Sequence, residues 1–270
     1  SAQTGPIFLA YRADEVITGA VNSTKESPCL YDFVSPDGIR HQVWKMTDER
    51  LVGDVARAFE SIDSIYIADG HHRAASAVKV GLKRREENPG FTGDEEFNFF
   101  LAVLFPDEEL KILPYNRVVK DLNGLSKEAF LSKVEENFEL SVSDVPVSPD
   151  KKGTYGMFLD NTWYLLKAKG KILSDDAVDG LDVAVLQNNL LEPVLGIIDP
   201  KTDKRIDFVG GIRGLKELER RCSLDCVVAF SMYPTSISEL FAVSDNNRLM
   251  PPKSTWFEPK LRSGLFIHRI

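Results

Sequence analysis

The chain has 270 residues, of which 43% are hydrophobic and 27% charged, and its formal net charge is −8. This is the composition of a globular protein with one large domain or two smaller ones, and an acidic chain without a long basic cluster is a poor candidate for nucleic-acid binding. No apolar run reaches the roughly 18 residues of a membrane span, the first residues do not form a signal peptide, and three cysteines give no disulfide framework, so we expect a cytoplasmic protein without a membrane partner.

The first part of the chain predicts two strands and a helix. A strand is expected over Gly5 to Tyr11, which suggests that the chain continues from a longer protein, and a turn-rich stretch over 22–38. Residues 39–46 alternate as a strand and include His41, a weak site candidate. A hydroxyl cap and early acids at 47–49 then predict a helix that runs to Ile62.

The middle of the chain predicts a sharp strand-to-helix turn. Apolar residues up to Ala68 indicate a strand, and Ala74 to Val80 has the composition of a helix that Gly81 would end. The charged residues 82–97 are typical of an exposed loop or lid. A buried central strand is expected over Phe97 to Phe105.

The second half predicts further strands and capped helices. A strand over Leu110 to Val119 is expected to break at residues 114–117, and Ser126 is expected to cap a helix. Asp160-Asn161 predicts a two-residue hairpin turn. A helix over 181–195 and a strand over 205–209 ending at Gly210-Gly211 follow, and Ser236 opens a capping box.

Together these elements predict an α/β (α+β) fold with mixed sheets and flanking helices. We expect an α/β domain over residues 1–145, which carries the strand-turn-helix at 64–81. A connector at 144–153 leads to a second α/β subdomain over residues 146–270.

The strand-to-helix turn is the richest candidate site, because Asp69-Gly70-His71-His72-Arg73 holds half of the four histidines of the chain. A helix N-terminus offers backbone N–H groups to an anion. Arg73 adds a forked donor for phosphate or carboxylate, and Gly70 lets a ligand approach the backbone. The alternative is that Asp69 only caps the helix, that His71 and His72 are exposed polar residues, and that Arg73 pairs with an acidic residue.

The C-terminal stretch from Met250 to His268 is the second rich segment. Its three prolines in nine residues predict no regular structure before Leu265. We expect a rigid loop folded over a pocket, or alternatively a proline-rich structural clasp. The anion donors in the first case would be Lys253, Ser254, Thr255 and Arg262. Weaker site candidates are His41, Asn116, Arg117, Gly210 and Gly211.

The box at 67–73, together with Met250 to Phe266, resembles a family of microbial cytoplasmic proteins known as domain of unknown function 1015. Further similar blocks lie throughout the chain: His41 to Trp44, Leu113 to Val118, Leu181 to Leu186, Phe208 to Gly211 and Ser231 to Thr235. Because members of this family are longer at the N-terminus, the resemblance implies that an N-terminal module is absent here.

The box is also similar to the signature of the ParB/sulfiredoxin superfamily, which implies a ParB/sulfiredoxin-like unit and includes free-serine kinases carrying Asp-Gly-His-His-Arg. By that resemblance Asp69 would orient the acceptor or hold Mg²⁺, while His71, His72 and Arg73 would bind phosphate oxygens. The general base of those kinases is a glutamate upstream of the box. Glu26 and Glu49 are its candidates in this chain, unless it lies in the absent module.

These features lead to three hypotheses. The first is phosphoryl transfer on a small metabolite, most simply serine or phosphoserine with ATP or ADP as the nucleotide and Mg²⁺ as cofactor, in either direction. The second is a metal-dependent hydrolase with Asp69, His71 and His72 as ligands, and the third is a non-catalytic nucleotide- or metabolite-sensing module. All three expect a small-molecule ligand, no nucleic acid and no membrane, and all three allow a homodimer.

Overall fold

The computed structural model describes residues 2–270, which form a mixed α/β fold with seven α-helices and several sheets. Residues 2–110 contain β1 Ala2–Gln3, β2 Ile7–Tyr11, α1 Glu15–Lys25, β3 Tyr31–Val34, β4 Arg40–Val43, α2 Glu49–Ser61, β5 Tyr66–Asp69, α3 His71–Glu87 and β6 Ala102–Pro106. The rest contains β7 Lys111–Leu113, β8 Tyr115–Val119, α4 Lys127–Asn137, β9 Phe138–Ser143, β10 Thr154–Leu159, β11 Thr162–Ala168, α5 Asp182–Leu186, β12 Ile206–Gly210, α6 Leu215–Leu224, β13 Val228–Met232, α7 Ile237–Asp245, β14 Trp256–Glu258 and β15 His268–Arg269. None of these helices is long and apolar enough to cross a membrane.

The chain divides into two compact units. The first unit comprises residues 2–110 and 259–270, and the second comprises residues 111–258. The division expected after residue 145 therefore falls inside the second unit. The physical reason is strand pairing, because β8, from before residue 145, hydrogen-bonds to β12 and β13 from far beyond it.

The first unit is built on a three-stranded sheet with the order β5-β2-β6. All five residues of β2 are buried, and β2 pairs antiparallel with β5 and parallel with β6. The expectation of a buried central strand at Phe97 to Phe105 is wrong. The central strand is β2, β6 is an edge strand, and Phe99 and Phe100 remain about half exposed. An apolar run alone does not distinguish a central from an edge strand.

Three helices in this unit differ from the sequence prediction. Helix α1 was not predicted and extends into the stretch expected to be turn-rich, and the Asp14 carboxylate accepts hydrogen bonds from the N–H groups of its first turn. The cap of α2 is Asp48 and not the preceding threonine. Helix α3 continues through Gly81 to Glu87. Gly81 is needed for close packing, because a Cβ there would lie 2.8 Å from the carbonyl oxygen of Phe97.

The second unit contains a six-stranded antiparallel sheet with the order β12-β8-β13-β10-β11-β9. The predicted hairpin turn between β10 and β11 is confirmed, since Asp160 and Asn161 both have positive φ, 49° and 55°. The caps predicted at Ser126 and Ser236 are confirmed as well. The predicted helix over 181–195 is confirmed at its start, where α5 covers Asp182–Leu186. The chain then passes into a π-helical turn at Gln187–Leu191.

The C-terminal part of this unit contains regular structure that was not predicted from its proline-rich sequence. Residues Trp256–Glu258 form β14, which pairs antiparallel with β7 in a two-stranded sheet. The expectation of no regular structure before Leu265 is therefore wrong. The prolines at 251, 252 and 259 lie before and after this strand and not within it, so the N–H groups of the strand remain available for pairing.

A buried carboxylate lies in the core of the second unit. The Asp182 Oδ1 accepts a hydrogen bond of 2.9 Å from the backbone N–H of Gly153 and one of 3.3 Å from the Tyr155 hydroxyl. Burial raises the pKa of Asp182 to about 6, against a lowering contribution from the Gly153 N–H. Because the raised pKa favours the protonated carboxyl in the folded state, this group stabilises the fold at low pH and loses that effect as the pH rises from about 4 to about 6.

We expect Asp182→Asn to be more stable than the wild type above pH 6, and the advantage to grow by up to about 3 kcal/mol between pH 4 and pH 7. The amide keeps Oδ1 as an acceptor for Gly153 but cannot ionise. Thermal unfolding of both proteins across this pH range measures the difference. Asp175→Asn, an exposed substitution in the same unit, controls for the lost negative charge, and a pH-independent difference for Asp182→Asn would contradict the assignment.

Candidate functional site

The junction of β5 and α3 places the Asp-Gly-His-His-Arg box at a left-handed turn. Strand β5 ends at Asp69, Gly70 has φ 89° and ψ 29°, and α3 begins at His71. No side chain caps this helix. The first turn of a 17-residue helix therefore presents backbone N–H groups beside two imidazole rings, neither of which makes a side-chain hydrogen bond within residues 2–270.

Arg73 folds back over this turn. A Cβ at Gly70 would lie 2.8 Å from Nη2 of Arg73, so the absence of a side chain at Gly70 is what admits the guanidinium. Arg73 Nη2 also lies 3.6 Å from Oδ2 of Asp69, with both side chains about half exposed. Such a surface pair contributes roughly 0.3–0.5 kcal/mol, whereas a hydrogen bond to a charged group contributes roughly 1.5–3 kcal/mol. A phosphate can therefore displace Asp69 from Arg73 at little cost.

A pocket of about 360 Å³ adjoins this turn within the first unit. One of its walls is a single face of α3, formed by His72, Arg73, Ser76, Ala77 and Val80. The remaining lining residues are Ala2, Gln3, Thr4, Gly5 and Ile270. His71 is not among them, because it lies about 100° of helical rotation outside the face that runs from His72 to Val80.

The sequence analysis missed Thr4 and Ser76 as pocket residues. Ser76 could have been found, since it lies four residues after His72 and three after Arg73, on one helical face. Thr4 could not, because its place depends on contacts distant in sequence: its carbonyl oxygen accepts a 2.7 Å hydrogen bond from the N–H of Gly264.

His41 and Arg262 belong to a separate cluster in the first unit. Ser35 is its centre: its hydroxyl lies 3.1 Å from Nε2 of His41, accepts from Arg262 Nη2 at 2.8 Å and donates to Asp37. The Ser35 hydrogen bond, with a smaller effect from Arg262, lowers the pKa of Asp37. Arg262 is also ion-paired with Asp37. The structure thus supplies protein partners to two residues predicted to serve a ligand.

The other predicted residues of the tail lie in the second unit. Lys253 and Thr255 are accessible, but Ser254 is buried, and its hydroxyl donates to the carbonyl oxygen of Pro251. Ser254 is therefore engaged in holding its own loop.

The remaining weak candidates of the second unit are packed into its sheet. The Asn116 Oδ1 accepts a 3.0 Å hydrogen bond from the N–H of Met232, and the Arg117 side chain is buried. A Cβ at Gly210 would lie 2.5 Å from the Trp256 ring, and one at Gly211 would lie 2.7 Å from Pro114. Close packing thus explains both glycines.

The structure also gives the positions of the two candidate general bases and of the histidines predicted as metal ligands. Glu26 is the C-cap residue that follows α1, and Glu49 is the first residue of α2. His71 and His72 are consecutive residues of a regular helix and therefore point apart, which is unfavourable for binding one metal ion together. No group of three or more His, Cys, Asp or Glu side chains within residues 2–270 is arranged as a metal site.

Comparison with known proteins identifies one family and several loosely similar structures. The chain matches the family described as protein of unknown function (DUF1015) over residues 1–184. No curated protein matches the chain.

Three solved structures illustrate the resemblance. A mutant free serine kinase in complex with ADP is 12% identical, with 93% of this chain and 83% of that chain covered and a TM-score of 0.39. A conserved hypothetical protein from Pyrococcus furiosus is 13% identical over 95% and 90%, with a TM-score of 0.41. SbnI with a C-terminal truncation, from Staphylococcus aureus, is 12% identical over 98% and 85%, with a TM-score of 0.42.

We expect Gly70→Ala to cost roughly 1–2 kcal/mol of stability for the left-handed backbone and also to displace Arg73, because the new methyl group would occupy the place of its guanidinium. Gly38→Ala is the matched control, since Gly38 has φ 80° and a methyl group added there would have no atom within 4 Å. Urea unfolding should give similar losses for both variants. Only Gly70→Ala should weaken binding of an anion at the turn, and equal binding by both would contradict this role of Gly70.

Proposed function

The chain belongs to the DUF1015 family, and we propose that it transfers a phosphoryl group between an adenine nucleotide and a small hydroxylated metabolite, with serine and phosphoserine as the pair. The observation that carries this proposal is the uncapped N-terminus of α3 with Arg73 folded over Gly70, at the edge of a pocket of about 360 Å³. This is an arrangement of donors suited to phosphate oxygens.

Phosphoryl transfer depends chiefly on holding the reacting groups in line and stabilising negative charge spread over the phosphoryl oxygens. The N–H groups of the first turn of α3 and the guanidinium of Arg73 provide fixed donors for that charge. His72 lies on the same pocket wall as Arg73 and supplies a ring nitrogen to the same group. His71, on another face of the helix, binds at the turn itself.

The pocket also suits a small ligand with an apolar part. Its wall along α3 continues from His72 and Arg73 through Ala77 to Val80. The hydroxyls of Thr4 and Ser76 add two neutral polar groups to the lining. A phosphate bound at the turn would thus leave the rest of a ligand against a largely aliphatic surface with a few hydrogen-bonding groups, as is usual for small-molecule sites.

The donor chemistry at the turn is compatible with Mg²⁺. This ion is commonly held by one or two carboxylates together with phosphate oxygens of the substrate, and Asp69 supplies one carboxylate at the end of β5. Asp69 would hold the ion after Arg73 turns to the phosphate, and the ion would neutralise part of the phosphate charge. A hydrolase in which Asp69, His71 and His72 share one metal ion is less compatible, because the two histidines diverge on a regular helix.

Arg73→Ala should lower turnover by at least about 100-fold, because it removes a donor that stabilises the transferred charge. The loss of its weak pair with Asp69 leaves the fold intact. Phosphorus NMR of the protein with Mg²⁺ and either ATP with serine or phosphoserine with ADP would measure the turnover and its direction.

Arg84→Ala is the matched control, because Arg84 lies on the same helix and its ion pair with Glu87 is long, at 3.9 Å. It should turn over substrate like the wild type. Wild-type turnover by Arg73→Ala would refute the proposal. Release of free phosphate without any change in the nucleotide would identify a hydrolase instead, and nucleotide binding without turnover in either mixture would identify a sensor.

A further inference from the structure

Residues 259–270 belong to the first unit although the second unit precedes them in the chain, and they are named the return segment. Their strand β15 pairs antiparallel with β1, whose two residues line the pocket. Near the same strand, Nε2 of His268 lies 3.0 Å from the carbonyl oxygen of Glu96. The return segment therefore follows a defined path within the first unit, next to residues 2–5 of the pocket lining.

Ser263 is tethered on both sides, but its own hydroxyl group is unused. The preceding residue, Arg262, donates a hydrogen bond of 2.8 Å to the hydroxyl of Ser35. The following residue, Gly264, donates its backbone N–H to the carbonyl oxygen of Thr4 at 2.7 Å. The Ser263 side chain is exposed and makes no hydrogen bond within the described part of the chain. Because the neighbouring residues fix its backbone, this free hydroxyl has a defined location.

The hydroxyl of Ser263 and the side chain of Arg73 approach the same point. Oγ of Ser263 lies 3.2 Å from the position that a Cβ of Gly5 would take. Cδ and Nε of Arg73 lie 3.5 Å and 4.0 Å from that position. Gly5 and Arg73 both line the pocket of about 360 Å³. The absence of a side chain at Gly5 therefore leaves open space between a neutral donor and a guanidinium, beside this pocket.

Arg73 thus lies between two glycines that serve it in different ways. Gly70 has a positive φ, so its backbone conformation itself favours glycine. Gly5 does not have a positive φ, and its backbone would accept a side chain. What a methyl group at position 5 would change is the space between Arg73 and Ser263. Open space, and not backbone conformation, is what glycine provides at this position.

We propose that the hydroxyl of Ser263 donates a hydrogen bond to the phosphate group that Arg73 binds, and that the return segment holds this hydroxyl in place. The inference rests on the proposed function for the kind of ligand and deepens it by assigning a further phosphate contact within the first unit. A hydrogen bond to an ionised acceptor is roughly twice as strong as one between neutral groups. Because the chain has a net charge of −8, an anion is held only where such local donors converge.

The test is calorimetric titration of the full chain with inorganic pyrophosphate. Ser263→Ala should weaken binding about tenfold, because one hydrogen bond to a charged group is lost. Ser263→Thr keeps the hydroxyl and should bind within about threefold of the wild type. Ser64→Ala is the matched control, since Ser64 is an exposed loop serine of the same unit, and it should leave binding unchanged.

Two further variants test whether Ser263 and Arg73 contact the same phosphate group. Gly5→Ala should also weaken binding about tenfold, because its methyl group would fill the space between these two side chains. Gly90→Ala, whose methyl group would meet no atom within 4 Å, should bind like the wild type. Arg73→Lys keeps the charge and leaves binding measurable. In that background Ser263→Ala should cost less than in the wild type, because contacts to one group are coupled.

The outcomes separate this inference from the proposed function. Wild-type affinity of Ser263→Ala, equal losses in the two backgrounds, or no binding of pyrophosphate by the wild type would overturn the contact. If Arg73→Ala abolishes turnover while Ser263→Ala binds normally, the proposed function stands and this inference fails. If Ser263→Ala loses binding while the wild type turns over neither ATP with serine nor phosphoserine with ADP, the contact stands and the proposed function fails.

Discussion

The left-handed backbone of Gly70 is the constraint on which the candidate site depends. It ends β5 and starts α3 within one residue, so there is no room for a capping side chain. The lack of a Cβ at the same residue also lets the guanidinium of Arg73 lie over the turn. One conformational requirement therefore produces both parts of an anion site: unpaired N–H groups and an accessible cation beside them. It also fixes which face of α3 lines the pocket, because the first helical residue sets the phase of all later ones.

Arg73 and Arg117 show how burial separates two uses of the same side chain. Arg73 is accessible, and within residues 2–270 its one ion pair is a weak one with Asp69, so it can exchange partners when a ligand arrives. Arg117 is enclosed by carbonyl oxygens and aromatic rings, and any movement would leave its charge without hydrogen bonds. The first is suited to contact a ligand and the second to hold backbone in place. A sequence motif containing an arginine does not distinguish these two uses.

The sequence predicted the features that depend on a few neighbouring residues. The hairpin at Asp160-Asn161 and the caps at Ser126 and Ser236 are local, and all are confirmed. It failed where the reason for a residue lies far away in the chain. Gly81 was expected to end α3. Position 81 instead requires a glycine because a side chain there would clash with the carbonyl oxygen of Phe97. The strand character of β14 comes from pairing with β7, far earlier in the chain, and no local pattern in a proline-rich segment reports that.

The same distinction applies to the candidate site residues. Residue type identified these candidates, but their chemistry depends on which donors the protein leaves unused. The hydroxyl of Ser254 and the guanidinium of Arg262 already have protein partners, and the glycine at 210 is covered by an aromatic ring. His72 and Arg73 of the first unit keep donors that are accessible to a ligand. Since a bound phosphate must be satisfied by such donors, they carry the chemical case for the site at the start of α3.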